Sequence, residues 1–283
     1  MRIGVMHPGA MGVSVAQTLL DSGHDVGWVA AGRSSQTRQR AQHLTELDGV
    51  DELAAWADGI VSVCPPDRAV AVAEAVHATA FNGFFVDANA IAPNTSRHIA
   101  SIIGPGGFVD GGIIGPPAEH AGSTRLYLSG EHAGYVASWF SAGALSAVPL
   151  PMSEHAHAHV AASALKMAYA AYTKGASALL LAVNALAEVS GVAEALNQEW
   201  QLSQPELLRR SELTAQGTSP KAWRFYGEML EISETFTDYD LPGDFHAGAA
   251  EIYQRMAQLK ELAPQSLDEV VASIISKHDS GAH

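Results

Sequence analysis

Lys166 lies in the run Ala161-Ala162-Ser163-Ala164-Leu165-Lys166-Met167-Ala168-Tyr169, which is otherwise uncharged and mostly apolar. An ammonium in such surroundings is costly to bury unless it has a task. Hydride transfer to a carbonyl leaves an alkoxide that needs a proton, and the reverse reaction needs a base. A lysine serves both directions when burial and nearby cations or dipoles lower its pKa. Helical spacing groups His159, Ala162, Ser163, Tyr169, Ala170 and Thr173 with Lys166. The small residues among them leave room for a substrate, and Tyr169 is placed to orient the lysine or to donate a proton itself. Lys174, nearly a quarter-turn away, is the second candidate. The bland alternative is a lysine whose head snorkels to solvent.

A second constellation opens the chain: Ile3-Gly4-Val5-Met6-His7-Pro8-Gly9-Ala10-Met11-Gly12, followed by a helical pattern. A strand, a glycine turn and a helix N-terminus together make a pyrophosphate site. Gly9, Ala10, Met11 and Gly12 are its expected cofactor contacts, although His7 occupies the first glycine position of the usual motif. After the second strand the chain reads Val29-Ala30-Ala31-Gly32-Arg33-Ser34, without the carboxylate that NAD enzymes use there. A cation and hydroxyls suit a 2′-phosphate, so Arg33 and Ser34 favour NADP(H) over NAD(H). The alternative makes Arg33 and Arg38 ordinary solvated cations.

These residues need a scaffold. Short apolar runs at Arg2–Met6, Asp25–Val29, Gly59–Cys64, Phe84–Asp87 and Gly107–Gly111 read as strands, with Arg125–Leu128 and Ala147–Leu150 after them. Helical patterns at Val13–Ser22, Thr37–His43 and Ala69–Ala80 lie between. Beyond Pro149 and Pro151 strand signals stop, and Ser153–Val189 reads as one long helix. The expected class is α/β: a Rossmann domain over residues 1–150, then an all-α domain over 151–283 joined by a long interdomain helix. Asn89 follows a strand on the ligand side of the sheet, to meet the nicotinamide ribose or the substrate, or simply to form a turn. Gly111, Gly112 and Gly115 invite close approach by substrate. His155, His157 and His159 alternate by two; His155 and His159 have a ligand-compatible spacing of four, but no acidic or cysteine partner is evident, so no metal site is expected. Trp223, Phe225 and Tyr226 read as core or dimer interface, and Arg224 as a surface cation.

Taken in order, these segments resemble the β-hydroxyacid dehydrogenases and 6-phosphogluconate dehydrogenases. The glycine turn, Ser62-Val63-Cys64-Pro65-Pro66-Asp67, Val86-Asp87-Ala88-Asn89-Ala90-Ile91-Ala92-Pro93, Val109-Asp110-Gly111-Gly112-Ile113-Ile114-Gly115 and Leu165-Lys166-Met167 carry the resemblance. It implies that Cys64, Pro65, Pro66 and Asn89 line the cofactor. It also implies that Asn89, Gly112, Ile113, Ile114, Gly115, Ser163, Lys166, Tyr169 and Ala170 meet the substrate, with Lys166 and Tyr169 catalytic. The family's Ser-Gly-Gly is Ile114-Gly115-Pro116 here, its Asn four residues after the lysine is Ala170, and Tyr169 stands where the 6-phosphogluconate enzymes carry His. Chemistry therefore transfers better than substrate identity.

The 283 residues carry a formal net charge of −14, which disfavours nucleic acid and acidic membranes as partners. The single cysteine, Cys64, and a start that lacks the apolar core of a signal peptide fit a cytoplasmic location. The second half is apolar and helical enough to suggest a homodimer. The leading expectation is an NADP(H)-dependent oxidoreductase acting on a small hydroxy acid or alcohol, or its carbonyl form. Imine reduction and noncatalytic NADP sensing are the alternatives.

Overall fold

Along the first strand Ile3 and Val5 pack on one face while Met6 packs on the other, and Val26 and Trp28 alternate with Val29 in the same way. Period-two burial on both faces is what a central strand between two helical layers requires. The computed structural model describes residues 1–152, 158–260 and 262–276. Its first part runs β1 (Arg2–Met6), α1 (Ala10–Asp21), β2 (Asp25–Val29), α2 (Ser35–Arg40), β3 (Thr45–Leu47), α3 (Val50–Trp56), β4 (Gly59–Ser62), α4 (Ala69–His77), β5 (Phe84–Asp87), α5 (Pro93–Ile103), β6 (Phe108–Ile114), β7 (Thr124–Ser129), α6 (Ala133–Ala137) and β8 (Leu145–Pro149). The sheet order is β3-β2-β1-β4-β5-β6-β7-β8. Every neighbouring pair is parallel except β6 with β7. The six strands β3 to β6 have the Rossmann order, which reverses at β1 and opens a crevice at the carboxyl ends of β1 and β4.

The expected strands are all present, several with shifted ends. Sequence reading passed over β3, α3, α5 and α6. Two of these carry local signals: α3 has Asp51 and Glu52 in its first turn, and α5 starts with Pro93. Pro93 was read only as part of a family block.

The long helix is α7 (Ala161–Val189), preceded by a 3₁₀ turn at Ala158–Val160. Residues 153–157, which the sequence pattern assigned to this helix, lie outside the described residues, and with them His155 and His157. By internal contacts the chain divides inside α7, between Met167 and Ala168, whereas the change in composition falls near residue 150. The first turns of α7 group with the sheet because they pack directly on β6.

The second unit begins with the remainder of α7 and continues through α8 (Ala193–Ser203), α9 (Glu206–Thr218), α10 (Ala222–Asp238), α11 (Asp244–Arg255) and α12 (Leu267–Ile275). Met229 and Ile232 of α10 and Ala249, Ala250 and Tyr253 of α11 are buried. Tyr253 Oη donates to the Lys174 carbonyl at 2.8 Å. Ser266 and Glu269 form a reciprocal capping box on α12. No helix among the described residues is long and apolar enough to cross a membrane.

Candidate active site

The glycine turn links β1 to α1 as the sequence predicts. Gly9 is the N-cap of α1, which has no side-chain cap and no acid in its first turn, so no side chain caps the N–H groups at its start. A Cβ on Gly9 would meet nothing within 4 Å, so that side of the turn is open. A Cβ on Gly12 would lie 2.5 Å from the His7 carbonyl oxygen, which is why helix and strand can meet so tightly only at a glycine.

Arg33 follows β2 and is half-buried, with its Nε sealed from solvent and without a hydrogen-bond partner. Burial lowers its pKa. Ser34 caps α2, its hydroxyl accepting from the Thr37 N–H at 3.2 Å. Arg38 is committed elsewhere, to Glu46 at 2.8 Å and the Ala30 carbonyl at 2.9 Å. Of the two arginines, Arg33 is the one with an Nε that has no partner within the protein.

Cys64, Pro65 and Pro66 follow β4 and lead into a 3₁₀ turn, Pro66–Arg68. Burial pushes the Cys64 thiol up to about 12, so it is a neutral wall group. The amide of Asn89 is hydrogen-bonded within the protein. Its Oδ1 accepts from the Cys64 N–H at 2.6 Å, and its Nδ2 donates to Ser62 Oγ and Asp87 Oδ2, each at 3.1 Å. It is 2% exposed. With both ends of its amide engaged, Asn89 ties the loop after β4 to the end of β5. Asp87, beneath it, is pushed up to about 7 by burial, with neighbouring Asp110 adding to the rise.

Asp110 of β6 organises the other half of the site. It accepts from Ser96 Oγ at 2.8 Å, Ser129 Oγ at 2.8 Å, Ser163 Oγ at 2.5 Å and the Ser163 N–H at 2.9 Å. Ser129 Oγ in turn accepts from the Ala162 N–H at 2.9 Å. A strand carboxylate thus caps the first turn of α7, where the helix dipole favours negative charge. Ser163, expected to face substrate, is fully buried against this carboxylate. No local spacing announces the arrangement, because its three serines come from distant segments. The one clue was an acid inside an apolar strand, which must find donors.

Gly112 is a packing position. A Cβ there would stand 2.6 Å from the Ala162 carbonyl and 3.1 Å from Lys166 Cβ. Ile113 and Ile114 are buried and pair with Leu126 and Arg125 across the ladder. Gly115, at φ 130°, ends the strand against the Ser123 carbonyl. Lys166 itself is half-buried on α7, directly over Gly112. His159 lies in the 3₁₀ turn and not on the helix face where spacing had put it.

The structure has known counterparts. Residues 187–256 match a family model described as a domain of unknown function, DUF1932. No curated protein sequence matches the chain. A conserved protein of unknown function, MTH1747, described as structurally similar to 3-hydroxyacid dehydrogenases, superposes with TM-score 0.67 at 26% identity over 92% of this chain and 98% of its own. The 3-hydroxyisobutyrate dehydrogenase of Mycobacterium tuberculosis gives TM-score 0.67 at 16% identity, covering 97% and 99%. In fold, the chain is similar to these dehydrogenases. A reductive aminase from Aspergillus terreus, solved with NADPH and ethyl levulinate, shares the architecture at TM-score 0.52 and 14% identity over 96% and 98%.

The remaining candidates lie further along α7 and on α10. Tyr169 is 49% exposed and Ala170 is buried. Lys174 is ion-paired with Glu228 at 2.9 Å, and its ammonium stands 5.0 Å from the Phe225 ring centroid. Trp223 is 43% exposed beneath the Lys260 ammonium, and Arg224 is exposed. Among the described residues no group of three or more His, Cys, Asp or Glu side chains could hold a metal ion.

Proposed function

We propose that the chain is an NADP(H)-dependent oxidoreductase that moves hydride between the nicotinamide and a small hydroxy acid or alcohol, or its carbonyl form. The observation that carries this reading is the position of Lys166. It is seated over Gly112, past the Asp87–Asp110 register pair, at the same carboxyl edge of the sheet where the Gly9–Gly12 turn stands. Ligands of open α/β sheets bind along that edge. The open flank of Gly9, the uncapped start of α1 and the unpartnered Nε of Arg33 fit a dinucleotide phosphate.

The nicotinamide, when bound, supplies or accepts the hydride. Gly9, Ala10, Met11 and Gly12 would present N–H groups to the phosphates, Arg33 and the Ser34 segment would bind the 2′-phosphate, and the Cys64-Pro65-Pro66 loop would wall the site. Lys166 gives its ammonium proton to the developing alkoxide oxygen in reduction and removes that proton as a neutral amine in oxidation. Gly112 and the Asp110 cap hold the helix turn that carries Lys166, and Tyr169 orients the lysine. The protein works as a homodimer in the cytoplasm. An exposed apolar row on α7, Tyr172, Leu179 and Leu186, supports the dimer, and the free thiol of Cys64 suits a reducing compartment.

Imine reduction is the second reading. The exposed phenol of Tyr169 favours it, as does the fold shared with a reductive aminase. The test is turnover followed by NADPH absorbance, in both directions, across carbonyls, imines and hydroxy acids. NADPH should bind more tightly than NADH, and Arg33→Ala should narrow the gap. One charge-assisted contact is worth about 1.5–3 kcal/mol. Equal affinities in the unmodified protein would defeat the cofactor assignment. Tight NADPH binding with no turnover on any of these substrates would make the protein a sensor.

A further inference from the structure

Ala10, Val13, Ser14, Gln17, Thr18 and Asp21 recur along α1 at the three- and four-residue spacing of a single helical stripe. A cavity of about 470 Å³ runs along this stripe, a size that small-molecule sites commonly have. Its two sides come from opposite ends of the sheet order. Arg40 and His43 line it from the crossover between β2 and β3. Pro117, Ala118 and Glu119 line it from the β6–β7 connection, and Ala144 from the segment that leads into β8. The whole cavity lies within the first unit of the chain.

The polar groups of its floor are already paired. Ser14 Oγ donates to the Met11 carbonyl at 2.9 Å and accepts from the Ala118 N–H at 2.9 Å. Thr18 Oγ1 donates to the Ser14 carbonyl at 3.2 Å and accepts from the Leu145 N–H at 3.3 Å. Ala10, Val13, Ala118 and Ala144 complete an apolar floor. The rim is charged. Arg40 is half-buried, yet its guanidinium has no ion pair or hydrogen bond with any described residue, and neither has the Glu119 carboxylate. Asp21 accepts from Gln17 at 2.8 Å through Oδ1, while its Oδ2 leans toward the β8 side, 3.0 Å from where a Cβ on Gly143 would stand. The cavity is therefore polarised, with cations toward β2–β3 and carboxylates toward β6–β8. A half-buried guanidinium without a partner, beside a cavity, fits an anion there.

We propose that this cavity is a second binding site, for a small zwitterion that carries its carboxylate and its ammonium at the two ends of a short apolar body. The carboxylate pairs with Arg40, the ammonium with Glu119 and Asp21 Oδ2, and the methylenes lie on the alanine floor. Both ends are selected together. A plain carboxylate brings nothing to the acids, and a plain amine leaves the guanidinium unpaired. The cavity meets the phosphate turn only at Ala10, so the site does not depend on the dinucleotide-binding reading.

Calorimetric titration of the whole protein with ω-amino acids, from β-alanine to ε-aminocaproate, tests this. Low-salt buffer leaves the rim charges least screened. At least one member should saturate a single site per chain. The alkanoate and the alkylamine of the same length should each bind more weakly by about tenfold or more, the worth of one charge-assisted contact. Arg40→Gln should erase the advantage of the zwitterion over the amine. Glu119→Gln with Asp21→Asn should erase its advantage over the alkanoate. Thermal midpoints of these variants should match the wild type, since Arg40 and Glu119 have no protein partner to lose. Lys166→Met should leave the affinity unchanged, which separates this site from the substrate cleft. The inference is overturned if no member of the series binds saturably, if binding survives Arg40→Gln undiminished, or if Lys166→Met abolishes it. The enzyme reading stands or falls separately, on turnover.

Discussion

At the scale of single residues, Lys166 and Asp87 make the sharpest claims. Lys166→Met keeps the length and apolar stem of the side chain but cannot move a proton. Turnover should drop about 10²–10⁴-fold, the usual contribution of general acid–base catalysis. NADPH affinity should barely change, because the phosphate turn lies at β1. Tyr169→Phe should cost less; a larger loss than that of the lysine variant would make Tyr169 the proton donor. Near-normal turnover in a folded, NADPH-binding Lys166→Met, with chemistry rate-limiting, would end the mechanism. Asp87 titrates from an ordinary 3.8 in the unfolded chain to about 7 in the fold. The folded state therefore holds a proton that the unfolded chain releases between those values. Its contribution to stability is fully present below about 3.8 and is lost as pH rises through about 7. Urea midpoints should fall over that window, and Asp87→Asn should flatten the fall. An unchanged slope in the variant would show that Asp87 does not titrate there.

At the scale of elements, one glycine on β6 decides how closely α7 approaches the sheet. Gly112→Ala would put a methyl 2.6 Å from the Ala162 carbonyl, a backbone atom that cannot rotate away. The helix must shift, at about 1–3 kcal/mol of stability, the usual cost of overpacking. Turnover should fall with it, since Lys166 is carried on the same turn. Gly9→Ala is the matched control. Its methyl meets nothing in the protein, so thermal stability should hold while NADPH affinity falls. Equal losses of stability in the two variants would contradict this account of α7 packing.

At the scale of the whole molecule, Tyr172, Leu179 and Leu186 recur every seven residues along α7, and all are more than half exposed. Seven-residue spacing keeps them on one helix face, a seam that a second copy of the same helix can cover. Light scattering at micromolar concentration should return a dimer mass, and Leu179→Glu with Leu186→Glu should shift it toward monomer. A monomeric, fully active wild type would remove the obligate dimer.

The strand periodicity, the βα alternation and the glycine turn were legible in the sequence because each is local: periods of two and 3.6 residues, and a turn that needs Gly9 and Gly12 in place. The short β3 and α3 were missed because three strand residues and seven helical ones leave too little pattern. Lys166 stood out because a charge in an apolar helix is conspicuous by itself. The partners of the polar groups were not legible. Asn89 and Ser163 read as ligand contacts, and only the assembled sheet brought Ser62, Cys64 and Asp87 to the one, and Asp110 to the other. A hydrogen bond between residues 53 positions apart leaves no spacing to read. The sequence by itself determined which residues had chemistry to offer. The tertiary structure decided which of them were already satisfied by the protein, because buried donors and acceptors must first be paired with whatever the fold brings within reach.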